Sequence, residues 1–483
     1  MPHLPDEILL QIAGHVEHQK DHLCFIIACR RFYDVLLPTL YTDVKLLNRQ
    51  RPWAVNDTAQ VRSFLRAVFR NPALAQNVRS LRLVHPWADL ISELGSDNDY
   101  FDDFDKAIVD GNTSEYSVED MDDAMNQVLS TSYIAEDLEE QELGEDQAMV
   151  DELMGGAGIE SDLERRAWEL CLEYGFADVW VAMLLPRLNN IRKLSLRLPD
   201  GGVCVVQTLK RAARQPSSVF PYLSDVFVED CSALGCTEAY RWNSFFAFPS
   251  MRRMHGVQVA ELESPQAPTA SSSATEIDLY QCGGGQGMKD WVGRCKALKS
   301  FRMISGNLDL TEVRFDPNAY CRSLTPHKET LEFLWLDCGS AGGEGDSVEL
   351  TESFATFTAL RHLHLRLENM FKRMSNLFPP SLEALFLREG NQGETGGIHH
   401  LTDMIRSRSM PRLSRVDLEM GMDNNHEVMA VLQDLQVACS NAGVSCVLWE
   451  RNSNEAQDYA NSTWNSLHGR DCTLTNSTDD LRN

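Results

Sequence analysis

The residues best equipped for chemistry are His15, His18 and His22, the pair Gly283 and Gly285, and the carboxylates Asp278, Asp417 and Glu419. Three histidines make a metal site when one surface carries them together, usually with Cys or carboxylate ligands at set spacings. These three lie across an expected helix break with no such set nearby, so they read as a solvated polar link. Gly283-x-Gly285 does not continue into a capped βαβ unit, which a dinucleotide loop needs. Asp278 and Asp417-x-Glu419 stand alone, without a second group for acid–base work. The chain has no Gly-x-Ser-x-Gly, no phosphate-binding loop, no His-Glu-x-x-His and no kinase signature. The expectation is a non-catalytic protein with no metal and no cofactor.

Composition narrows the class further. At 483 residues and 43% hydrophobic, the chain has room for two or three domains with real cores. The formal charge is −27, but Ala88 to Glu164 alone carries 25 acidic residues against Lys106, and the rest nets only −3. Neither part has the clustered Lys and Arg on which phosphate-backbone binding is built, so nucleic acid is not expected as a partner. The longest apolar run, Phe176 to Pro186, is about half of the ~20 residues a spanning helix needs, so no membrane partner is expected. Met1-Pro-His-Leu-Pro-Asp-Glu lacks a basic region followed by an apolar core. Thirteen cysteines without CxxC pairs suit buried thiols in a reducing compartment. The expected localisation is cytoplasmic, nuclear or both.

The first fifty residues predict three short helices. Leu4-Pro5-Asp6-Glu7 opens the first, with proline and two carboxylates at the positive end of the helix dipole. Ile8, Leu9, Ile12 and Val16 form its stripe. Asp21 is a cap for a second helix with Leu23, Ile26, Ile27 and Cys29. A third carries Phe32, Val35, Leu36 and Leu37 and is expected to stop at Pro38. A 45-residue bundle cannot bury this much Leu, Ile and Phe by itself, so an apolar face is left over.

The order Leu4-Pro5-x-Glu7-Ile8-Leu9, Ile12, then Leu23 to Cys29-Arg30-Arg31-Phe32, then Leu36, Leu40 and Tyr41, resembles an F-box. Phe32 stands where that family most often has Trp, and the His15–His22 link is unusually His-rich. The resemblance implies docking on the Skp-type adaptor of a cullin–RING ubiquitin ligase through Leu4, Pro5, Ile8, Leu9, Ile12, Ile26, Cys29, Phe32, Leu36 and Leu40.

Beyond it, one fragment, h-x-x-h-x-h, recurs. Clear copies start at Val78, Ile191, Leu223, Leu298, Leu331, Leu360, Leu382 and Leu413, and weaker ones include Met251/Met254 and Ile277/Leu279. Past residue 190 the spacing is 22 to 33 residues, the range of leucine-rich repeats. In such a strand the h side chains point into a solenoid core and the x side chains line the opposite, concave face. Phe220-Pro221, Phe248-Pro249, Pro379-Pro380 and Met410-Pro411 supply the chain reversals. With the N-terminal helices, the pattern resembles fungal F-box proteins with divergent leucine-rich repeats.

The expected fold is therefore α/β: a three-helix F-box (1–50), the start of the solenoid (51–87), an acidic, largely disordered insertion (88–164), an irregular leucine-rich-repeat solenoid (165–451) and a polar tail (452–483). Parallel strands lie on the concave face, helices and loops outside. Ser264 to Ala274 and Cys282 to Gly287 are expected to be flexible loops, Met121 to Leu129 a fleeting helix, and Trp464 and Leu467 a cover for the last repeat. The concave face would present Ser195, Phe227, His255, Asp278, Arg302, Trp335, His364, Phe386 and Asp417 at its middle positions. Lys193, Arg197, Tyr280, Phe333, His362, Arg366 and Arg388 flank them. Aromatics mixed with Arg and His are the composition of recognition hot spots. Phe227, Tyr280, Arg302, Phe333, Trp335, His362, His364, Phe386 and Arg388 are the candidate substrate-binding set. The resemblance makes the chain a substrate-recognition subunit of an SCF-type ligase for an unknown target protein. The alternative is a repeat scaffold unconnected with ubiquitin.

Overall fold

The computed structural model describes residues 4–16, 19–46, 58–83, 144–159, 161–173, 177–198, 203–215, 219–230, 237–261, 270–305, 315–337, 350–367, 377–388, 395–420, 426–450 and 461. The chain forms two compact units. The first is chiefly Met1–Gly283 with Asp290–Lys296, and the second chiefly Gly284–Lys289, Ala297–Asn307 and Val313–Asn483.

The first unit opens with α1 (Asp6–Gly14), α2 (Gln19–Ile27) and α3 (Arg30–Leu40). Asp6 and Glu7 occupy the first turn of α1, where the dipole favours carboxylates. Helix α2 starts two residues before the expected cap, so Asp21 lies in its first turn. Pro38 does not stop α3. A proline this near the end forfeits a single backbone bond, and Thr39 Oγ1 donates to the Leu36 carbonyl at 2.7 Å in the same turn. Leu9, Ala13, Ile26 and Leu36 form the core of these helices, with Phe25, Phe32, Val35 and Leu40 packed around it.

The sheet of the first unit consists of β1 (Asp43–Leu46), β2 (Ser80–Leu83), β3 (Lys193–Leu198) and β4 (Asp225–Asp230), then β6 (Arg253–Val257) and β8 (Glu276–Cys282) in that order. A small second sheet pairs β5 (Thr237–Glu238) with β7 (Val259–Ala260). The second unit holds β9 (Ser300–Ser305), β10 (Phe333–Asp337), β11 (His362–Arg366), β12 (Ala384–Arg388), β13 (Arg415–Met420) and β14 (Ser445–Glu450), again in chain order. Neighbouring strands run parallel, as in β3–β4, β6–β8, β10–β11 and β12–β13. Each unit is thus α/β, with parallel strands following one another in chain order, as the solenoid expectation requires.

The repeated fragment sets that register. Leu81, Leu194, Val226, Met254 and Ile277 pair in one inward row of the first unit. Phe301, Leu334, Leu363, Leu385 and Val416 do so in the second. All ten are buried, as are the leading residues Val78, Ile191, Leu223, Met251, Leu298, Leu331, Leu360 and Leu382. A recurring turn precedes the strands: Ile191, Leu223, Met251, Leu360, Leu382 and Leu413 each donate a backbone N–H to the carbonyl three residues back. The weak copy at Met251 is weak because its third apolar position is Gly256. A Cβ there would lie 2.9 Å from Leu279 and from Val259, so the neighbours fill the place of the missing side chain.

Three expectations need correction. The acidic stretch is not solvated as far as Glu164: helices Gln147–Gly156 and Asp162–Glu173 bury Met149, Val150, Leu153, Leu163 and Ala167. Buried Asp146 anchors the return of the chain by accepting from Arg62 and Arg66, whose guanidiniums hold its carboxyl below the usual range against the opposing effect of burial. The apolar residues from Trp168 to Leu185 suggest a single helix, but the described residues there form two, Asp162–Glu173 and Ala177–Leu184. The glycine stretch after Cys282 is built into both units. Gly283 bridges to Ala260, and Gly287 has a positive φ of 77° with the Ala319 backbone 2.5 Å from where a Cβ would sit. Residues 84–143, 262–269 and all of 451–483 except Asn461 lie outside the described residues, and with them Met121 to Leu129, most of the Pro/Ser loop, Trp464 and Leu467. No helix among the described residues is long and apolar enough to cross a membrane.

Truncating an inward-row side chain removes packing on both neighbouring strands. Leu334→Ala is expected to lower unfolding free energy by about 2–5 kcal/mol in urea titration, whereas exposed Glu329→Ala stays within about 0.5 kcal/mol.

Candidate functional site

Two surfaces carry the candidate residues. On the N-terminal helices, Leu4, Ile8 and Ile12 follow one another at four-residue spacing, which places them on a single face of the helix start. Leu4 is 50% exposed, and Ile8, Leu10 and Ile12 are exposed beside it. Leu23 and Ile27 form a second exposed pair on α2, with Ile27 at 68%. Pro5 and Cys29 are exposed, while Phe32 and Leu40 are half-buried against the helical core. Leu9, Ile26 and Leu36 are sealed inside, so they hold the helices together and present no surface. Leu10, Leu23, Ile27 and Tyr33 are exposed apolar residues that the docking set left out. The helical periodicity that separates Leu9 and Ala13 from Ile8 and Ile12 is the signal that identifies them. Arg31 ties the face in place by bonding Asp6 at 2.6 Å and the Leu4 carbonyl.

The second surface is the sheet face opposite the inward rows. In the first unit it is a ladder of charges: Asp225 pairs with Arg253 at 2.5 Å, Arg197 with Glu229, and His255 Nδ1 lies 3.3 Å from Asp278. Tyr280 is exposed there, and Phe227 and Ser195 are half-exposed, in keeping with an open face.

In the second unit, in-register strands bring planar side chains into stacks, because neighbouring strands are only ~4.8 Å apart. Arg302, Trp335, His364, Phe386 and Asp417 share one row. The Arg302 guanidinium lies 5.5 Å from the Trp335 ring centre. Trp335 and His364 stack at 3.9 Å and 11°, and His364 and Phe386 at 4.3 Å and 16°. Phe333 and His362 stack in the row beside it, at 5.9 Å. The next row is ionic: Asp337 accepts from Arg366 Nε at 2.8 Å and Arg388 Nη1 at 2.9 Å, and Arg388 reaches Glu419 at 3.3 Å.

Exposure is where the expectation fails. Trp335 is 1% exposed and His364 5%, and Arg302, Phe333, Phe386, Arg366 and Asp417 are also buried. His362 and Arg388 are half-buried. The register is the expected one, so a slip is not the reason. The aromatics bury one another by stacking, Ile304 and Trp449 pack over Phe333, Trp335 and Phe386, and Asn461 meets Arg302. Two polar atoms remain without a hydrogen-bond partner in this buried row, Trp335 Nε1 and His364 Nε2.

Burial also sets the electrostatics. It drives the His364 imidazole down to about 3, assisted by Arg388, Arg302 and Arg366, and Asp337 only partly offsets it. For Asp337 burial acts upward, but Arg366 and Arg388 outweigh it and hold the carboxyl at about 2. Elsewhere, Cys171, Asp178 and Cys204 converge within 4.8 Å. Both Asp178 oxygens accept backbone N–H groups, of Cys204 at 2.7 Å and Val205 at 3.1 Å, and burial pushes the Cys204 thiol up. The carboxylate thus caps the helix Val203–Arg214, and the neutral thiol is a poor ligand as it stands.

Two outcomes follow. The His364 pKa in the folded chain lies below its unfolded value of 6.5, so the unfolded chain binds the proton more tightly. Stability should fall as pH drops from about 6.5 toward 3, by at most roughly 1.4 kcal/mol per pH unit, and His364→Phe should flatten that slope in urea titrations. Asp337→Ala removes the buried carboxylate that Arg366 and Arg388 share and should cost about 3–5 kcal/mol at neutral pH, read as a lowered unfolding midpoint.

Comparison with known proteins agrees with this geometry. No curated protein matches the chain. A family model described as a leucine-rich repeat domain matches residues 242–377. Those residues hold β6 to β11, whose inward rows are described above. They form a leucine-rich repeat domain, a class of structure that points to a role in protein interaction.

Proposed function

We propose that the chain is the substrate-recognition subunit of an SCF-type cullin–RING ubiquitin ligase. The observation that carries the reading is the N-terminal apolar face. A three-helix unit with its own closed core still leaves Leu4, Ile8, Ile12, Leu23 and Ile27 in water. Burying each such side chain in an interface is worth roughly 1.5–3 kcal/mol, and clustered exposed apolar residues mark interaction sites. The resemblance of these residues to an F-box names the Skp-type adaptor as the partner. The leucine-rich repeats then select the target protein, whose identity the side chains do not specify.

In this role the chain needs no catalytic residue. Holding a substrate lysine near the thioester carried by the ligase raises its effective concentration, and the chemistry belongs to the partners. The work requires a cytoplasmic or nuclear setting, where the adaptor and free thiols are found; all nine cysteines among the described residues are free.

The test is co-purification of the full chain with adaptor and cullin. Ile8→Asp combined with Ile12→Asp changes exposed positions and leaves the Leu9–Ala13–Ile26–Leu36 core intact. The pair should abolish adaptor recovery without changing the melting temperature. Undiminished recovery would overturn the docking assignment. Stable protein partners with no adaptor or cullin would favour a repeat scaffold instead.

A further inference from the structure

Helices Asp162–Glu173, Ala177–Leu184 and Val203–Arg214 of the first unit bring together three side chains that neither the sheet faces nor the N-terminal helices use: Cys171, Asp178 and Cys204. Their sulfur and carboxylate oxygen atoms lie within 4.8 Å of one another. Among the described residues, no other three His, Cys, Asp or Glu side chains converge so closely. Cys204 is sealed from water, whereas Cys171 and Asp178 are half-buried, so a small ion can reach the group past those two.

The spacing is that of ligands around one ion. Two thiolates held by zinc at ~2.3 Å in a tetrahedron lie ~3.8 Å apart. The Cys171 and Cys204 sulfurs stand at 3.9 Å. Asp178 accepts the backbone N–H groups of Cys204 at 2.7 Å and Val205 at 3.1 Å, one on each oxygen, and this fixes the carboxylate beside the sulfurs. Each carboxylate oxygen has a second lone pair for a ligand bond, and a ligand oriented by hydrogen bonds is what a metal centre requires. Charge also balances. Two thiolates and a carboxylate around a divalent cation leave one net negative charge. It lies against the first turn of the twelve-residue helix Val203–Arg214, the end whose dipole favours an anion. Zinc suits a mixed sulfur and oxygen set, whereas copper(I) selects sulfur and iron–sulfur clusters take four cysteines.

We infer that Cys171, Asp178 and Cys204 form a zinc site that clamps three helices of the first unit. The ion ties the last turn of Asp162–Glu173 to the first turns of Ala177–Leu184 and Val203–Arg214. On binding, each thiol gives its proton to solvent and both sulfurs bind as thiolates, with no change of oxidation state. Three protein ligands leave the fourth tetrahedral position to water. The expectation of no metal rested on local spacing. Zinc ligands in sequence patterns come in close pairs, but these two cysteines are 33 residues apart and meet only through helix packing.

The test uses the full chain, reduced, stripped with a chelator and titrated with cobalt(II) or zinc(II) alone. Cobalt should bind with a near-ultraviolet thiolate-to-metal band that saturates at one equivalent, and zinc should displace it. Cys171→Ser, a near-isosteric change at a half-buried position, should weaken cobalt binding by at least ~10-fold and diminish the band. Cys439→Ser, which breaks up the cysteine pair with Cys446, should leave the band unchanged. Iodoacetamide labelling of the wild-type chain, read by mass spectrometry, locates the ion without any variant. Zinc should slow labelling of Cys171 several-fold and leave exposed Cys24 and Cys29 unaffected. That measurement keeps the test decisive if Cys171→Ser does not fold. The inference is overturned if wild type gives no such band, if a folded Cys171→Ser retains it in full, if Cys439→Ser removes it, or if zinc leaves Cys171 labelling unchanged. None of these readouts involves adaptor or ubiquitin, so the inference and the ligase reading fail separately.

Discussion

The inward rows of Leu, Val, Ile, Met and Phe that run across each sheet are the constraint on which the rest rests. A parallel strand of five or six residues cannot bury two apolar side chains alone, and its neighbours must complete the row. Once Leu334 is fixed against Phe301 and Leu363, every other residue of the strand is fixed with it, because side chains alternate between faces. The outer rows inherit their alignment from the inner ones. Trp335 stacks on His364 because Leu334 and Leu336 lie opposite Leu363 and Leu365, and not because the rings select one another.

That inheritance explains the difference between the two outer faces. In the first unit the register lines up Asp225 with Arg253 and Arg197 with Glu229, groups that stay partly hydrated. In the second it lines up rings, which shed water when stacked at 3.9–4.3 Å, and beside them it sets Asp337 between Arg366 and Arg388. A buried charge of this kind persists only where its partners are held in place. The same burial keeps His364 neutral, so the row combines rigidity with sensitivity to acid.

The N-terminal helices obey a different economy. Their core is small and closed, and the surplus apolar residues have no place within the unit. Leu9 and Leu10 are adjacent in sequence and opposite in fate, one sealed and one in water, because successive helical residues are turned by 100°. A helical unit of this size keeps its fold with one face of each helix and leaves the other in water.

Much of this was legible in the residues themselves. The h-x-x-h-x-h period identified the strands, their parallel order and their register, since a two-residue alternation admits one buried face. The Leu-Pro-x-Glu opening and the apolar stripes located the three helices. Other features required the third dimension. Pro38 stays helical because it lies near a helix end, Gln147 to Gly156 folds because Arg62 and Arg66 receive Asp146 across some eighty residues, and Gly256 holds its place because Leu279 and Val259 close over it. Alternation tells which face a side chain takes but not what lies over that face. Whether Trp335 meets water was decided by residues from other strands, His364 stacked on one ring face and Trp449, more than a hundred positions on, packed against its cluster, and no local pattern encodes such a meeting.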